Sequence, residues 1–243
     1  MFRGLGTIIN VIAIIVGGFI GMRGGSRLSI RARTLITDVL GCVTLLGAAD
    51  AAKNLWSKDF SANVPTGWTL LGTLAALLIG GLLGTALGIE DRLESFGEKL
   101  KKRIGGEEHS FIAGFMAASL LFVIGPLAIL GSISDGMGTG ITQLVLKSTL
   151  DFFAAIAFAS TFGVGVMASA IPVGIYQGAW TLIGLFLGNI MSDYQVDAMT
   201  ITGGLLLLAI GMRLLKLKMV SVGNLLPALF LAPIFALVAH QFL

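Results

Sequence analysis

The sequence predicts an all-α fold, a polytopic transmembrane helical bundle of about eight spans. Composition comes first: 56% of the 243 residues are hydrophobic, 12% are charged and the mean hydropathy is +0.95, too little polar character to cover a water-soluble globule. Patterning comes second, since the apolar residues fall into runs close to the roughly 20 residues that a helix needs to cross a bilayer. Glycine comes third: 34 glycines beside 5 prolines suit closely packed helices rather than collagen or a disordered linker.

The first span, 5–22, lacks a basic leader region and a small-residue cleavage site, so it reads as a retained helix. Span two, 35–53, carries Cys42, the lone cysteine, whose expected role is packing; one cysteine excludes an intrachain disulfide and a multi-cysteine metal site. Asp38 and Asp50 lie at the two ends of that span, where Asp38 favours the positive helix start and Asp50 meets water or Lys53. After span three, 67–89, the segment 90–106 is too polar to cross. Leu93, Phe96, Leu100 and Ile104 nevertheless share a helical face there, predicting an interfacial cytoplasmic helix, with a solvated connector as the alternative.

Span four, 110–131, breaks at Gly125-Pro126, because proline removes a backbone donor and obstructs a regular helix while glycine tolerates irregular backbone. Spans five, 148–170, and six, 173–191, are almost continuous. Pro172, just after Ser169, suits the first turn of a helix and predicts a tight hairpin at that point. Spans seven, 198–214, and eight, 222–242, complete the chain.

Arg23, Arg27, Arg31 and Arg33 follow span one; Arg92, Lys99, Lys101, Lys102 and Arg103 follow span three; Arg213, Lys216 and Lys218 follow span seven. Eight spans place these 12 of the 16 basic residues on one side, which the positive-inside rule makes cytoplasmic, with both termini outside a bacterial inner membrane. The pI near 9.2 is thereby a topology signal, and no nucleic-acid partner is expected.

Gly17-Gly18-Phe19-Ile20-Gly21 recurs as Gly80-Gly81-Leu82-Leu83-Gly84 and, more loosely, as Gly184-Leu185-Phe186-Leu187-Gly188. Small residues four apart let helices approach closely, and they also make a homodimer reasonable. Matching span one to span six aligns Asn10 with Gln177, and Ile36-Thr37 then resembles Ile201-Thr202. Copies five spans apart would be inverted, giving repeat units 1–89 and 173–243 around a central 110–172 hairpin within one integral membrane domain. A parallel match of span one to span three is locally as good.

The candidate binding residues are Ser132, Ser134, Asp135, Lys147, Asp151, Gln177 and Asn10, and the candidate structural break comprises Gly125, Pro126, Gly131 and Gly136. Irregular backbone at membrane depth must line protein or a wet cavity, where Ser132, Ser134 and Asp135 offer oxygens to a cation or proton; a solvated outer turn is the competing reading. Lys147 and Asp151 stand one helical turn apart at the entrance to span five. They form either an interfacial ion pair or a cation or proton site that Lys147 fills when it is empty. Asn10, Gln177 and Asn189 lie in apolar spans where an unpaired amide is costly, so each is expected to bond a neighbouring helix, water or a substrate. Asp193 and Asp197 read as an outward loop, and His109 and His240 as too far apart to share zinc.

The runs GPLAILGSISDG, LKSTLDFF and FGVGVMASAIPVGIYQG, with the opening GTIINVIAIIVGGFIG, resemble the YdfK/YqgA-like bacterial membrane family, domain of unknown function family 554, over nearly the whole chain. That resemblance implies a multi-pass membrane protein, loosely grouped with transporters, and directs attention to Gly125, Pro126, Ser132, Asp135, Gly136, Lys147, Asp151 and Gln177. The sequence expectation is a secondary transporter or exchanger of a small solute or ion, needing no cofactor, with an ion channel or a non-transporting membrane scaffold as alternatives. Its partners are the lipid bilayer and the solute. No nucleotide-binding loop, histidine-rich metal motif, Gly-x-Ser-Gly site or Gly-x-Gly-Asp motif indicates an enzyme.

Overall fold

The computed structural model describes residues 2–25, 28–65, 67–104, 108–124, 126–187 and 191–242, and every regular element among them is helical. Arg27, Gly105, Gly125, Gly188 and Asn189 lie outside the described residues, as do the side chains of His109 and Pro126. In order the helices are α1 (Leu5–Gly25), α2 (Ile30–Ala52, extended by a 3₁₀ turn Lys53–Trp56), α3 (Lys58–Asn63), α4 (Trp68–Leu87), α5 (Ile89–Ile104), α6 (Glu108–Val123) and α7 (Pro126–Met137). They continue with α8 (Thr142–Phe162), α9 (Gly165–Ala168), α10 (Ala170–Leu187), α11 (Asp193–Leu214), α12 (Val222–Leu225) and α13 (Ala228–His240).

Local chemistry accounts for several of the boundaries. Ser57 Oγ accepts the Phe60 N–H and starts α3, while the Gln195 side chain accepts the Ser192 N–H at the start of α11. Gly88 ends α4 in the left-handed conformation, φ +58°, that glycine adopts without a Cβ clash. The amphipathic α5 has Glu90 and Asp91 in its first turn and Lys101, Lys102 and Arg103 in its last, complementing the helix dipole at both ends. Leu93, Phe96 and Leu100 are half-buried along one face of it, and the Phe96 ring meets Phe115.

Among the described residues seven segments are long and apolar enough to cross a membrane: 5–25, 30–56, 68–87, 142–162, 165–186, 193–214 and 222–240. A further pair, Ser110–Val123 and Leu127–Met137, passes the same test together and bends by 61°, so the number of spans rises to eight if that pair is one span. Contacts divide the chain into two compact units, Met1–Leu40 with Leu93–Val123 and Leu127–Asn189, and Gly41–Arg92 with Ile124–Pro126 and Ile190–Leu243. The segments 1–89 and 173–243 each draw on both units.

In the first unit α1 and α8 lie along each other. Gly17, Gly21 and Gly25 face the carbonyls of Phe152, Ile156 and Ser160, so close that a Cβ on any of the three would collide with that backbone. Residue numbers rise together along this seam, so the helices run parallel, whereas Thr7–Thr181 and Asn10–Gln177 make α1 antiparallel to α10. A parallel return requires an odd number of crossings between α1 and α8. With α2 and α4 supplying two, a crossing by the bent α6–α7 pair would be the third.

In the second unit Gly80 and Gly84 of α4 abut the backbone of Ala228 and Asn224, and Gly204 and Gly211 of α11 pack on Ala51 and Leu45 of α2. A small apolar core of Phe60, Val64, Ala76, Tyr194, Ala198 and Ile201 joins α3, α4 and α11 to the alanine face of α13.

Three local expectations change. Cys42 is exposed on α2 rather than packed inside the fold, because α2 turns a broad apolar face, including Leu35, Val39, Val43 and Leu46, away from the protein. The turn between spans five and six falls at Gly163 rather than at 169–172: φ +73° and ψ −145° require glycine there, and Pro172 sits in the first turn of α10. Helix α8 begins at Thr142, so Asp151 lies nine residues inside it rather than at its entrance. The polar start is tolerated because Lys147 finds its counter-ion one turn along.

Candidate functional site

Four of the sequence-selected residues converge inside the first unit. Asn10 on α1, Lys147 and Asp151 on α8, and Gln177 on α10 are separated by up to 167 positions in sequence yet form one hydrogen-bonded cluster. Lys147 Nζ donates to Asp151 Oδ2 at 2.6 Å, the i,i+4 geometry that a helix supplies. Asn10 Nδ2 donates to the same carboxylate oxygen at 3.0 Å and to Gln177 Oε1 at 3.2 Å. The Phe122 ring of α6 lies 5.8 Å from the ammonium.

Burial makes this arrangement costly. Asn10 and Gln177 are 0% exposed, and the side chains of Lys147 and Asp151 are 7% and 8% exposed. Counting 1.5 Å per residue, Asp151 stands about 13 Å along the α8 axis, near the middle of the span. A charge pair at such depth faces a heavy desolvation cost that only good pairing offsets. The pairing is incomplete: Asn10 Oδ1 and Gln177 Nε2 are buried without a hydrogen-bond partner among the described residues. An acceptor and a donor are thus left over beside an ion pair in the interior of a span, an arrangement that folding alone disfavours.

The residues around the break divide differently. Asp135 is 2% exposed, and its Oδ1 and Oδ2 accept the N–H groups of Gly4 at 3.0 Å and Gly6 at 2.9 Å. It therefore caps the start of α1, where the first N–H groups of a helix lack partners and the dipole favours an anion. Gly6 needs to be glycine here, since a Cβ would press on Leu144 and on that carboxylate. Ser132 donates back to Ala128 O at 2.6 Å and is fully buried. The Ser134 carbonyl accepts from Thr139 N and Oγ1 and closes the end of α7. Gly131 admits Leu144, and Gly136 packs on the Thr181 carbonyl. The structure thus joins Asn10, Lys147, Asp151 and Gln177 in one cluster and Asp135 in a separate cap, with Ser132 and Ser134 bonded within α7 and its end.

In the second unit a cluster that the sequence did not flag surrounds Glu90. Its Oε1 accepts from Arg213 Nη1 at 2.7 Å, its Oε2 accepts the Gly223 N–H at 2.8 Å, and its own N–H donates to Asn224 Oδ1 at 2.9 Å. Elsewhere in this unit Ser57 Oγ donates to Asp197 Oδ2 at 2.5 Å, and His240 Nδ1 meets Asn63 O at 3.0 Å. Every one of these groups has a partner, so they tie the helices of the unit together rather than offer a ligand free valences. Among the described residues no three His, Cys, Asp or Glu side chains are placed to hold a metal ion.

The family model described as "Protein of unknown function (DUF554)" matches residues 5–237. The chain is 30% identical over 237 residues to "Uncharacterized membrane protein YdfK" of Bacillus subtilis (strain 168), covering 98% of this chain and 97% of that one. It is 33% identical over 237 residues to "Uncharacterized protein YqgA" of Escherichia coli (strain K12), covering 94% of each. A more distant likeness, 25% over 142 residues, covers 56% of this chain and 78% of the "Putative manganese efflux pump MntP" of Geobacillus kaustophilus (strain HTA426). No solved structure matches the chain.

Proposed function

The chain belongs to the DUF554 family, and from that membership together with its buried polar cluster we propose that it is a secondary transporter or exchanger of a small solute or ion. One observation carries the reading: the Asn10, Lys147, Asp151, Gln177 cluster keeps a buried acceptor and a buried donor unpaired near the middle of a span. Polar and ionisable side chains at that depth are costly unless they serve a pathway or a binding site. The bent α6–α7 pair, if it is a broken span, is a feature found in transporters of this kind. The distant likeness to a chain named as an efflux pump supports the same class without transferring its cargo.

The inverted repeat belongs to this proposal. α1 and α10, the helices matched by their glycines, run antiparallel and touch through the matched residues Asn10 and Gln177. A bacterial inner-membrane location with both termini outside, a carrier that performs no chemistry on its cargo, and a homodimer built on the exposed faces of α2 or α4 complete the reading.

Flux in proteoliposomes tests it. Wild-type protein should accumulate at least one solute from a panel of cations, amino acids, polyamines and carboxylates, and folded Asp151→Asn protein should not. Conducting events far faster than carrier turnover would instead mark a channel. Absence of flux with any solute, together with a stoichiometric co-purifying protein, would replace transport by a scaffold role.

A further inference from the structure

We propose that the open half of the Asn10–Gln177 amide pair binds a small uncharged solute through one group that both donates and accepts a hydrogen bond, a carboxamide or a hydroxyl. The assignment rests on the transport reading and names the class of solute that the cluster takes. Its starting point is the charged pair, which sets the orientation of both amides. Asp151 Oδ2 accepts from Lys147 Nζ at 2.6 Å and from Asn10 Nδ2 at 3.0 Å, and a carboxylate oxygen takes only donors, so the Asn10 nitrogen must face it. The same nitrogen donates to Gln177 Oε1 at 3.2 Å, which turns the Gln177 oxygen toward Asn10. Rotating either amide by half a turn would set two donors or two acceptors against each other.

This chain of donors and acceptors fixes what is left over. One acceptor, Asn10 Oδ1 on α1, and one donor, Gln177 Nε2 on α10, have no partner among the described residues, and both side chains are 0% exposed. Two amides can close a ring of two hydrogen bonds, yet this pair makes one of them and leaves the other open. One helical turn toward the start of α1 the same two helices meet again through hydroxyls, Thr7 and Thr181 at 3.2 Å, so their seam is polar on that side of the pair as well.

The opposite polarity of the two free atoms decides the ligand. A bare cation would pair with Asn10 Oδ1 and leave the Gln177 donor unmet, and a carboxylate would do the reverse. Either would also add a net charge where Lys147 and Asp151 already neutralise each other, at a depth where an unbalanced charge is costly. A carboxamide or hydroxyl accepts from Gln177 Nε2, donates to Asn10 Oδ1 and brings no charge. Each nitrogen and oxygen of the two amides then has a partner, and the ion pair is left as it is.

Probes of one shape and different polarity test this. Acetamide donates and accepts, acetate only accepts and acetamidinium only donates, while ethylene glycol supplies the hydroxyl. Thermal unfolding of the purified protein is followed during titration with each at constant ionic strength. The expected result is saturable stabilisation by acetamide or ethylene glycol and none by acetate or acetamidinium, with a Kd on the order of millimolar because so few atoms supply little binding energy. Gln177→Met removes the donor, keeps the side-chain volume and leaves the Asn10–Asp151 bond in place, so it should weaken binding at least about tenfold. Equal binding by Gln177→Met, saturable stabilisation by acetate or acetamidinium as strong as by acetamide, or no saturable response to either neutral probe would each overturn the proposal, the last leaving water as the partner of the pair. The probe series on wild type decides the matter even where Gln177→Met fails to fold. Counterflow of the neutral probes and of charged solutes in proteoliposomes separates the two readings. Neutral-probe binding with no flux of any solute keeps the site and removes the transporter, whereas flux of a charged solute with no neutral-probe binding keeps the transporter and removes the site.

Discussion

Asp135 shows how one side chain can look like a ligand and act as a cap. Both its oxygens are taken by Gly4 and Gly6, so Asp135→Ala should destabilise the protein by about 1–3 kcal/mol, the cost of leaving buried N–H groups unpaired. Thermal unfolding of the variant beside wild type measures this. Lys147 and Asp151 give the opposite contrast. Removing either partner alone strands a buried charge at a cost of about 3–5 kcal/mol, whereas the double change Lys147→Met with Asp151→Leu should be more stable than either single variant. Denaturation of the two single variants and the double variant beside wild type would establish this. The sequence disclosed the Lys147–Asp151 pair because four-residue spacing is geometric, and it marked Asn10 and Gln177 because amides in apolar spans need partners. It did not disclose that these four meet, since that depends on how α1, α8 and α10 pack. Glu90 passed unnoticed because a carboxylate opening a charged helix reads as solvated.

Helix α1 is held to α8 by backbone-to-backbone approach along one row of glycines. Gly21 faces the Ile156 carbonyl with no room for a Cβ, so Gly21→Leu should separate the helices or prevent folding. At Gly24, three residues on, an added Cβ would meet no heavy atom within 4 Å, and Gly24→Ala should be neutral or stabilising by up to about 1 kcal/mol through helix propensity. Unfolding temperatures of the two variants in one detergent decide this. The glycine spacing made the seam legible in sequence; its partner was not, because a small-residue row fits any close neighbour. The polar starts of α2 and α8 were missed for a related reason. Hydropathy discounts Arg31, Arg33 and Lys147, but Arg33 donates to the Gly25 carbonyl and Lys147 to Asp151, which lets each helix begin earlier.

Over the whole chain, hydropathy placed the apolar helices well because a backbone in such runs is satisfied in lipid by forming helices. The break in span four was legible from Gly125-Pro126, and Gly125 itself lies outside the described residues. The parallel course of α1 and α8 adds what composition lacks, a parity for the bent pair. If the bent pair crosses, the eight crossings would place α5 and the 215–221 loop on the side opposite both termini. In a Cys42→Ala background, single cysteines introduced by Lys58→Cys and Gln241→Cys should react with a membrane-impermeant maleimide added outside intact cells. Those introduced by Lys99→Cys and Lys218→Cys should react only after permeabilisation. Labelling of position 241 on the same side as 99, with 218 on the side of 58, would mean seven crossings and would make α6–α7 a re-entrant loop.

The glycine seam also has a mechanical consequence. Helices whose carbonyls and α-carbons touch over three successive turns cannot slide or tilt independently, so α1 and α8 translate and rotate as a single rigid rod carrying Asn10, Lys147 and Asp151. Only Gln177 belongs to another body, and displacement of α10 against that rod is felt at the cluster as the stretching of one bond, Asn10 to Gln177. That bond is a natural strain gauge: a spectroscopic or crosslinking pair spanning it would report the movement of this unit with one distance.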